Sequence, residues 1–200
     1  MSRLDALKRE ILNLPNLITI GRVFMIPPIC LLIDQRDPAL NFAAFLFFLI
    51  ASAMDLLDGW LARRRNLVTF FGKFMDPLAD KVMVMALMVY LANEGRIEPW
   101  VVVVLLGREF YMSGLRTLAL GAGVEIVADS GGKAKTVFQM IGLSLILLYE
   151  TYVDPLGYEI SFHRVGLALL YMSLFLSLVS AYAYTRGFVE QLGRSGAPGE

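Results

Sequence analysis

The chain has 200 residues, 57% of them hydrophobic, with a mean hydropathy of +0.62. A soluble domain of this size buries only about 70 to 75% of the surface its unfolded chain exposes, too little to hide so much apolar surface, so the surrounding solvent is lipid. Lysine and arginine total 18, as do aspartate and glutamate, and this zero balance speaks against nucleic acid as a partner.

Residues 2–14 set Leu4, Leu7, Ile11 and Leu14 at helical spacing against Arg3, Asp5, Lys8, Arg9 and Glu10. That is the pattern of an amphipathic helix lying in the headgroup plane. The stretch lacks the apolar core of a signal peptide, so no cleaved targeting segment is expected. A first span is predicted over 17–33; it carries Pro27 and Pro28, which a membrane helix tolerates with a kink whose freed carbonyls find other partners. The second, 40–61, ends in Arg63, Arg64 and Arg65. A polar turn over 66–73 leads to a third span, 74–92, closed by NEGRIEP. The fourth is 100–120, followed by a loop, GAGVEIVADSGG, rich in glycine. The fifth is 134–149 and the sixth 163–184, with 188–200 a tail. The expected fold class is all-α: an integral membrane bundle of six transmembrane helices with an N-terminal interfacial amphipathic helix, in a single membrane domain over 1–200.

Of the 18 basic residues, only Arg36, Arg96 and Arg164 fall near the even-numbered turns. The positive-inside rule therefore places both termini, the 63–73 turn and the 121–135 loop in the cytoplasm. Glu94, Glu98, Glu150, Asp154 and Glu159 mark the opposite side. Trp60 and Trp100 fall near opposite interfaces, where aromatic anchors sit. Cys30, the single cysteine, reads as a small buried hydrophobe, and His163, the single histidine, is expected at the outer end of the sixth span with no catalytic role.

Asp55, Asp58, Asp76 and Asp80 lie in or beside spans, where a carboxylate costs several kcal/mol unless it is paired, metal-bound or facing water. Asp55 and Asp58 are three apart, and Asp76 and Asp80 four apart, so each pair shares one helix face. The short turn between the second and third spans makes them antiparallel neighbours with both pairs at one depth. Four gathered anions call for cations, and an all-oxygen set favours hard divalent ions such as Mg²⁺, Ca²⁺ or Mn²⁺. With Gly59, Ala62, Arg63, Gly72 and Lys73 around them, the combination reads as a diphosphate site.

The segment DLLDGWLARRRNLVTFFGKFMDPLAD, residues 55–80, resembles at every defined position the DxxDGxxARx8GxxxDxxxD signature of the CDP-alcohol phosphotransferase family. NLPNLITIGRVFMIP near the start, and GREFYMSGLRTLA followed by GKAKT, are similar to bacterial members of that family that make phosphatidylglycerol phosphate. The resemblance implies six spans and a homodimer in a bacterial cytoplasmic (inner) membrane. It also implies transfer of a phosphatidyl group from CDP-diacylglycerol to the 1-hydroxyl of sn-glycerol 3-phosphate, with release of CMP, by an in-line displacement at two divalent ions, Mg²⁺ or Mn²⁺. Carried over by position, Asp55, Asp58 and Asp76 would bind the metals, and Asp80 would ligate and act as base. Gly59, Ala62, Arg63 and Gly72 would contact the CDP moiety, with Asn16, Thr19 and Arg22 as supporting contacts at the nucleotide end.

The acceptor's phosphate needs cations of its own. Arg108 and Arg116 are eight apart on the fourth span, and Lys133 and Lys135 open the fifth from the same side. Arg108 sits deepest and is the hardest to read as an interfacial anchor. Its neighbour Glu109 is either a salt-bridge partner or a structural anchor, and Arg186 either joins the basic pocket or anchors the last helix. Other acceptors within the family, such as inositol phosphate, serine or another phosphatidyl lipid, remain open. An intramembrane prenyltransferase would also group aspartates around magnesium, and a carboxylate-lined transporter would carry its ligands nearer the bilayer midplane on broken helices.

Overall fold

A computed structural model describes residues 13–33, 37–64, 69–123, 131–149, 151–153 and 159–195. At 14, 15, 56, 58–63, 70, 71, 73, 74, 76, 77, 131–133, 151–153, 194 and 195 the description covers the backbone alone. Among the described residues the chain forms helices α1 (Leu14–Ile33), α2 (Pro38–Arg64), α3 (Phe70–Asn93), α4 (Pro99–Gly121) and α5 (Gly131–Leu148). A short hairpin follows, β1 (Thr151–Val153) and β2 (Glu159–Ser161), antiparallel with Tyr152 opposite Ile160, and then α6 (Phe162–Ser195). The expectation of an all-α membrane protein holds apart from that hairpin. Among the described residues three helical stretches are long and apolar enough to cross a bilayer, Asn16–Ile33, Pro38–Asp55 and Phe162–Gly193, while Ala134–Leu148 is a shorter apolar helix.

The helix ends follow local chemistry. Asn13 caps α1, its Oδ1 accepting from the Asn16 N–H at 3.0 Å, and Asp37 opens α2 by accepting from the Ala39 N–H at 2.7 Å, with Pro38 at the first helical position. Thr69 caps α3. The chain leaves α3 through a Schellman turn: Gly95, at φ +68°, lets the Arg96 N–H reach Leu91 O at 2.8 Å and its own N–H reach Ala92 O at 3.0 Å. Helix α1 runs unbroken through Pro27 and Pro28, both exposed.

Several predicted boundaries move. Helix α3 begins at Phe70 rather than 74, because Thr69 supplies the cap, so Gly72 and Lys73 lie on the helix and not in the turn. Helix α5 begins at Gly131, inside the predicted loop. Residues 188–195, read as tail, continue α6: Phe188 and Tyr184 pack against buried Met112, Leu115 and Ala181, the Thr185 and Tyr111 hydroxyls share a hydrogen bond of 2.9 Å, and Arg186 pairs with Glu190 one turn on at 2.7 Å. The interfacial helix predicted over 2–14 lies outside the described residues up to residue 12; Leu14 belongs to α1.

The chain divides into two compact units, one holding residues up to Arg96 with 147–150, the other 97–146 with 151–200. In the first, α1 packs on α2 and α3 around buried Ile29, Cys30, Ile33, Ala44, Phe48, Met83, Leu87 and Leu91. Arg96, buried, closes one end of it: its guanidinium donates to Asn41 Oδ1 at 2.8 Å, to Ile33 O at 3.2 Å and to Leu147 O at 3.4 Å. A single cation thereby satisfies the last carbonyls of two helices. It also lies 4.6 Å over the ring of Tyr149, which ends α5 in the left-handed region at φ 53°.

In the second unit α4 packs on α6, and α5 meets α6 at two glycines. A Cβ on Gly166 would lie 2.7 Å from Gly142 O, and one on Gly142 would lie 2.9 Å from Gly166 O. The helices thus touch backbone to backbone, the packing by which membrane helices associate without a hydrophobic drive. Trp100 stacks on Tyr171 at 6.1 Å, and the Tyr171 hydroxyl donates to Glu98 at 2.7 Å.

Candidate active site

The four aspartates fall on two helices of the first unit, Asp55 and Asp58 in the last three turns of α2, Asp76 and Asp80 in the first three of α3. Asp55 is half-exposed, and its Oδ1 takes a hydrogen-bonded ion pair from Arg22 of α1, whose side chain is fully buried. An unpaired guanidinium at that depth would be costly, so the pair fixes both partners. Asp80 is half-buried. Asp58 and Asp76 are placed by their backbone, and Gly59, Ala62 and Arg63 share the final turns of α2 with Asp58.

The polar residues of α1 predicted to support the nucleotide end are all buried: Asn16, Thr19 and Arg22. Asn16 Nδ2 donates to Thr69 Oγ1 at 3.1 Å, and the same oxygen accepts from the Gly72 N–H at 3.0 Å. Gly72 is closely covered, because a Cβ there would lie 2.6 Å from Asn16 Oδ1 and 3.2 Å from Thr69 Oγ1. Thr69 is a residue sequence reasoning missed. Its signal is a threonine immediately before an apolar helical run, the cap pattern.

Of the residues predicted to bind the acceptor, the second unit brings two together. Arg108, buried, donates through Nε to Ser177 O at 2.9 Å and through Nη1 to Glu109 Oε1 at 2.7 Å. Lys135 Nζ donates to the same Glu109 oxygen at 2.7 Å, and Ser173 Oγ donates to the Lys135 carbonyl at 2.8 Å. Glu109 is therefore a salt-bridge partner, to two cations at once, and three helices are joined by charge-assisted bonds in a low-dielectric setting. Arg116 is exposed, and Lys133 lies in the first turn of α5. Arg186, exposed, is paired with Glu190, and His163 stands in the first turn of α6.

Residues 12–179 match the model of the CDP-alcohol phosphatidyltransferase family. The chain belongs to that family. Among its relatives, the CDP-diacylglycerol–glycerol-3-phosphate 3-phosphatidyltransferase of Bacillus subtilis (strain 168) is 38% identical over 185 residues, covering 86% of this chain and 93% of that protein. The protein of the same name from Rickettsia bellii (strain RML369-C) is 34% identical over 172 residues, with coverage of 86% and 93%. The cardiolipin synthase (CMP-forming) of Oryza sativa subsp. japonica is 34% identical over 191 residues, covering 88% of this chain and 57% of that one.

A phosphatidyltransferase of this family must handle a diphosphate, and the donor chemistry of the first unit fits divalent ions. All four candidate ligands are carboxylates, hard oxygen donors at helical spacing on two helices. Asp55, with Oδ1 engaged by Arg22, keeps a second oxygen for a ligand. Among residues with described side chains, no three such ligands come together.

Proposed function

We propose that the chain transfers the phosphatidyl group of CDP-diacylglycerol to the 1-hydroxyl of sn-glycerol 3-phosphate, giving phosphatidylglycerol phosphate and CMP. The observation that carries this reading is the complete acidic signature on α2 and α3, with Asp55 held by a buried arginine, in a chain that aligns over nearly its full length with transferases so named. Asp55, Asp58, Asp76 and Asp80 hold the divalent ions, Mg²⁺ or Mn²⁺. When bound, these supply charge neutralisation at the phosphoryl oxygens and at the leaving CMP. Gly59, Ala62, Arg63 and Gly72 lie against the CDP moiety, supported from beneath by Asn16, Thr19 and Arg22. Asp80 accepts the proton of the glycerol hydroxyl as its oxygen bonds to the lipid-bearing phosphorus and the bond to CMP breaks.

Arg108, Arg116, Lys133 and Lys135 receive the acceptor's phosphate. A buried arginine and a half-buried lysine gathered on one carboxylate favour an anionic acceptor over serine or inositol. The chain crosses a bacterial inner membrane six times as one domain, with both termini and the active site on the cytoplasmic side, and works as a homodimer.

The test is CMP release by purified protein in detergent from CDP-diacylglycerol with Mg²⁺ or Mn²⁺, offered glycerol 3-phosphate, inositol phosphate, inositol, serine or phosphatidylglycerol separately. Release with glycerol 3-phosphate alone is expected, with Asp80→Asn retaining CDP-diacylglycerol binding but losing most turnover. Release with phosphatidylglycerol alone would move the chain to the reaction named for its rice relative. Wild-type rates in Asp80→Asn would remove the base.

A further inference from the structure

The candidate metal ligands belong to α2 and α3, yet the side chains that hold those ends of the two helices come from α1. Arg22 bonds Asp55 on α2, and Asn16 bonds Thr69 at the start of α3. Both are buried, and Thr19 between them is buried as well, so α1 presents one polar residue every three positions to its neighbours.

Thr69 has a double task. Its hydroxyl oxygen receives the Gly72 N–H, which starts α3, and the Asn16 amide, which ties that start to α1. Asn16 is itself fixed, since its backbone N–H is held by Asn13, the cap of α1. The caps of two helices are thus joined through one asparagine. The absence of a side chain at Gly72 is what admits it, a Cβ there meeting Asn16 Oδ1 at 2.6 Å.

The consequence lies along α3. Asp76 and Asp80 follow Thr69 by seven and eleven residues, two and three helical turns at 3.6 residues each, so all three stand on one face. If a neighbouring residue took the contact with Asn16 in place of Thr69, that face would turn by about 100° and carry the acidic pair away from the pair on α2. We propose that Asn16, Thr69 and Arg22 form a template that sets the register of the carboxylates, and that Thr69, which fills no defined position of the acidic signature, is a positioning residue for divalent-ion binding. This rests on reading the four aspartates as metal ligands.

The experiment compares wild type, Thr69→Val, Thr69→Ser and Asn16→Ala in detergent. Two quantities are read with Mn²⁺ as the probe: the Mn²⁺ concentration giving half-maximal CMP release, and the rise in melting temperature that Mn²⁺ alone produces. Supporting groups behind metal ligands are typically worth about 10- to 100-fold in metal affinity or activity. Thr69→Val is expected to raise the Mn²⁺ half-saturation by about tenfold or more, to shrink the Mn²⁺-induced thermal shift, and to leave the KM for glycerol 3-phosphate unchanged. Thr69→Ser, which keeps the hydroxyl, restores both. Asn16→Ala keeps the Thr69 cap of α3 and removes the tie; because Asn16 also stands behind the CDP moiety, its decisive readout, should Thr69→Val not fold, is the thermal shift by Mn²⁺ alone without CDP-diacylglycerol, which is expected to shrink likewise. Thr69→Val and Asn16→Ala variants that melt earlier but keep the wild-type Mn²⁺ response would overturn the proposal, as would a Thr69→Ser variant as impaired as Thr69→Val. Absence of any Mn²⁺ response in the wild type would instead remove the metal-site reading on which the template depends.

Discussion

Arg96 brings a charge into the interior of the first unit for three oxygen acceptors, Asn41 Oδ1 and the carbonyls of Ile33 and Leu147. Truncation to alanine leaves those buried acceptors without their donor, each at a cost of about 1 to 3 kcal/mol. Arg96→Ala is therefore expected to lower the melting temperature steeply. Arg96→Lys should recover only part of the loss, because an ammonium is a point donor where the guanidinium is a planar fork. A melting curve for each variant in detergent decides it, and equal stability of all three would show that the helix-end carbonyls do not depend on this residue. The sequence marked Arg96 only as one of the few basic residues on the acidic side. Its partners are 51 to 63 positions away, and no local pattern reports a contact that remote. A separation of 33 positions likewise hid the partner of Arg22, which the motif resemblance assigned to the nucleotide end and the structure sets on Asp55. Arg108 was legible as deep from its place in an apolar span, and it is buried. Whether Glu109 met a cation was not legible, since Lys135 comes from another helix. Arg116, exposed where Arg108 is buried, gives the acceptor reading its cleanest test. Arg116→Ala should raise the KM for glycerol 3-phosphate much more than that for CDP-diacylglycerol, and equal effects on both would assign it a role in folding.

Helices α5 and α6 depend on two glycines, and a different kind of variant tests that dependence. A methyl group on Gly166 would meet Gly142 O at 2.7 Å and the Ile146 backbone nitrogen at 2.9 Å. Backbone atoms cannot step aside as a flexible side chain can, so the helices must separate. Gly166→Ala is expected to destabilise the protein by about 1 to 3 kcal/mol, the usual cost of overpacking. A methyl group added at Gly107 on α4 would have nothing within 4 Å, and alanine there should stabilise by about 0.5 to 1 kcal/mol through helix propensity alone. Paired melting curves of Gly166→Ala and Gly107→Ala should move in opposite directions; a rise in both would show that the close approach at Gly166 does not resist a methyl group. At this scale the sequence was informative about where apolar helices run, because a span of lipid-facing residues needs no partner to be recognised. It was weaker at their ends. The start of α3 was set four residues late because the cap at Thr69 sits within a stretch that reads as a turn, and the hairpin escaped because strands of three residues carry no period to read.

Among the described residues, length and composition distinguish three helices as candidate membrane spans, α1, α2 and α6, and the reason the others fall short bears on the whole molecule. At 1.5 Å per residue, α3 and α4, with 24 and 23 residues, reach about 36 and 34 Å, enough for the roughly 30 Å hydrocarbon layer. What they lack is uniform apolarity: α3 carries Lys73, Asp76, Asp80 and Lys81, and α4 carries Arg108, Glu109 and Arg116. Asp76, Asp80, Arg108 and Arg116 among them are proposed for chemistry and binding, so residues of the site itself keep these two helices from reading as spans. Intramembrane charges of this kind mark function by default. The two counts differ in parity. Three crossings would leave the termini on opposite sides of the membrane, whereas six return the C-terminus to the side of the N-terminus. Reporters fused to each end in turn, active only in the cytoplasm, are expected to be active at both ends. Thiol labelling at a cysteine placed in the hairpin, with buried Cys30 as a silent background, should occur only from outside. Reporters active at one terminus alone would restrict the spans to an odd number, and α3, α4 and α5 could not then all cross.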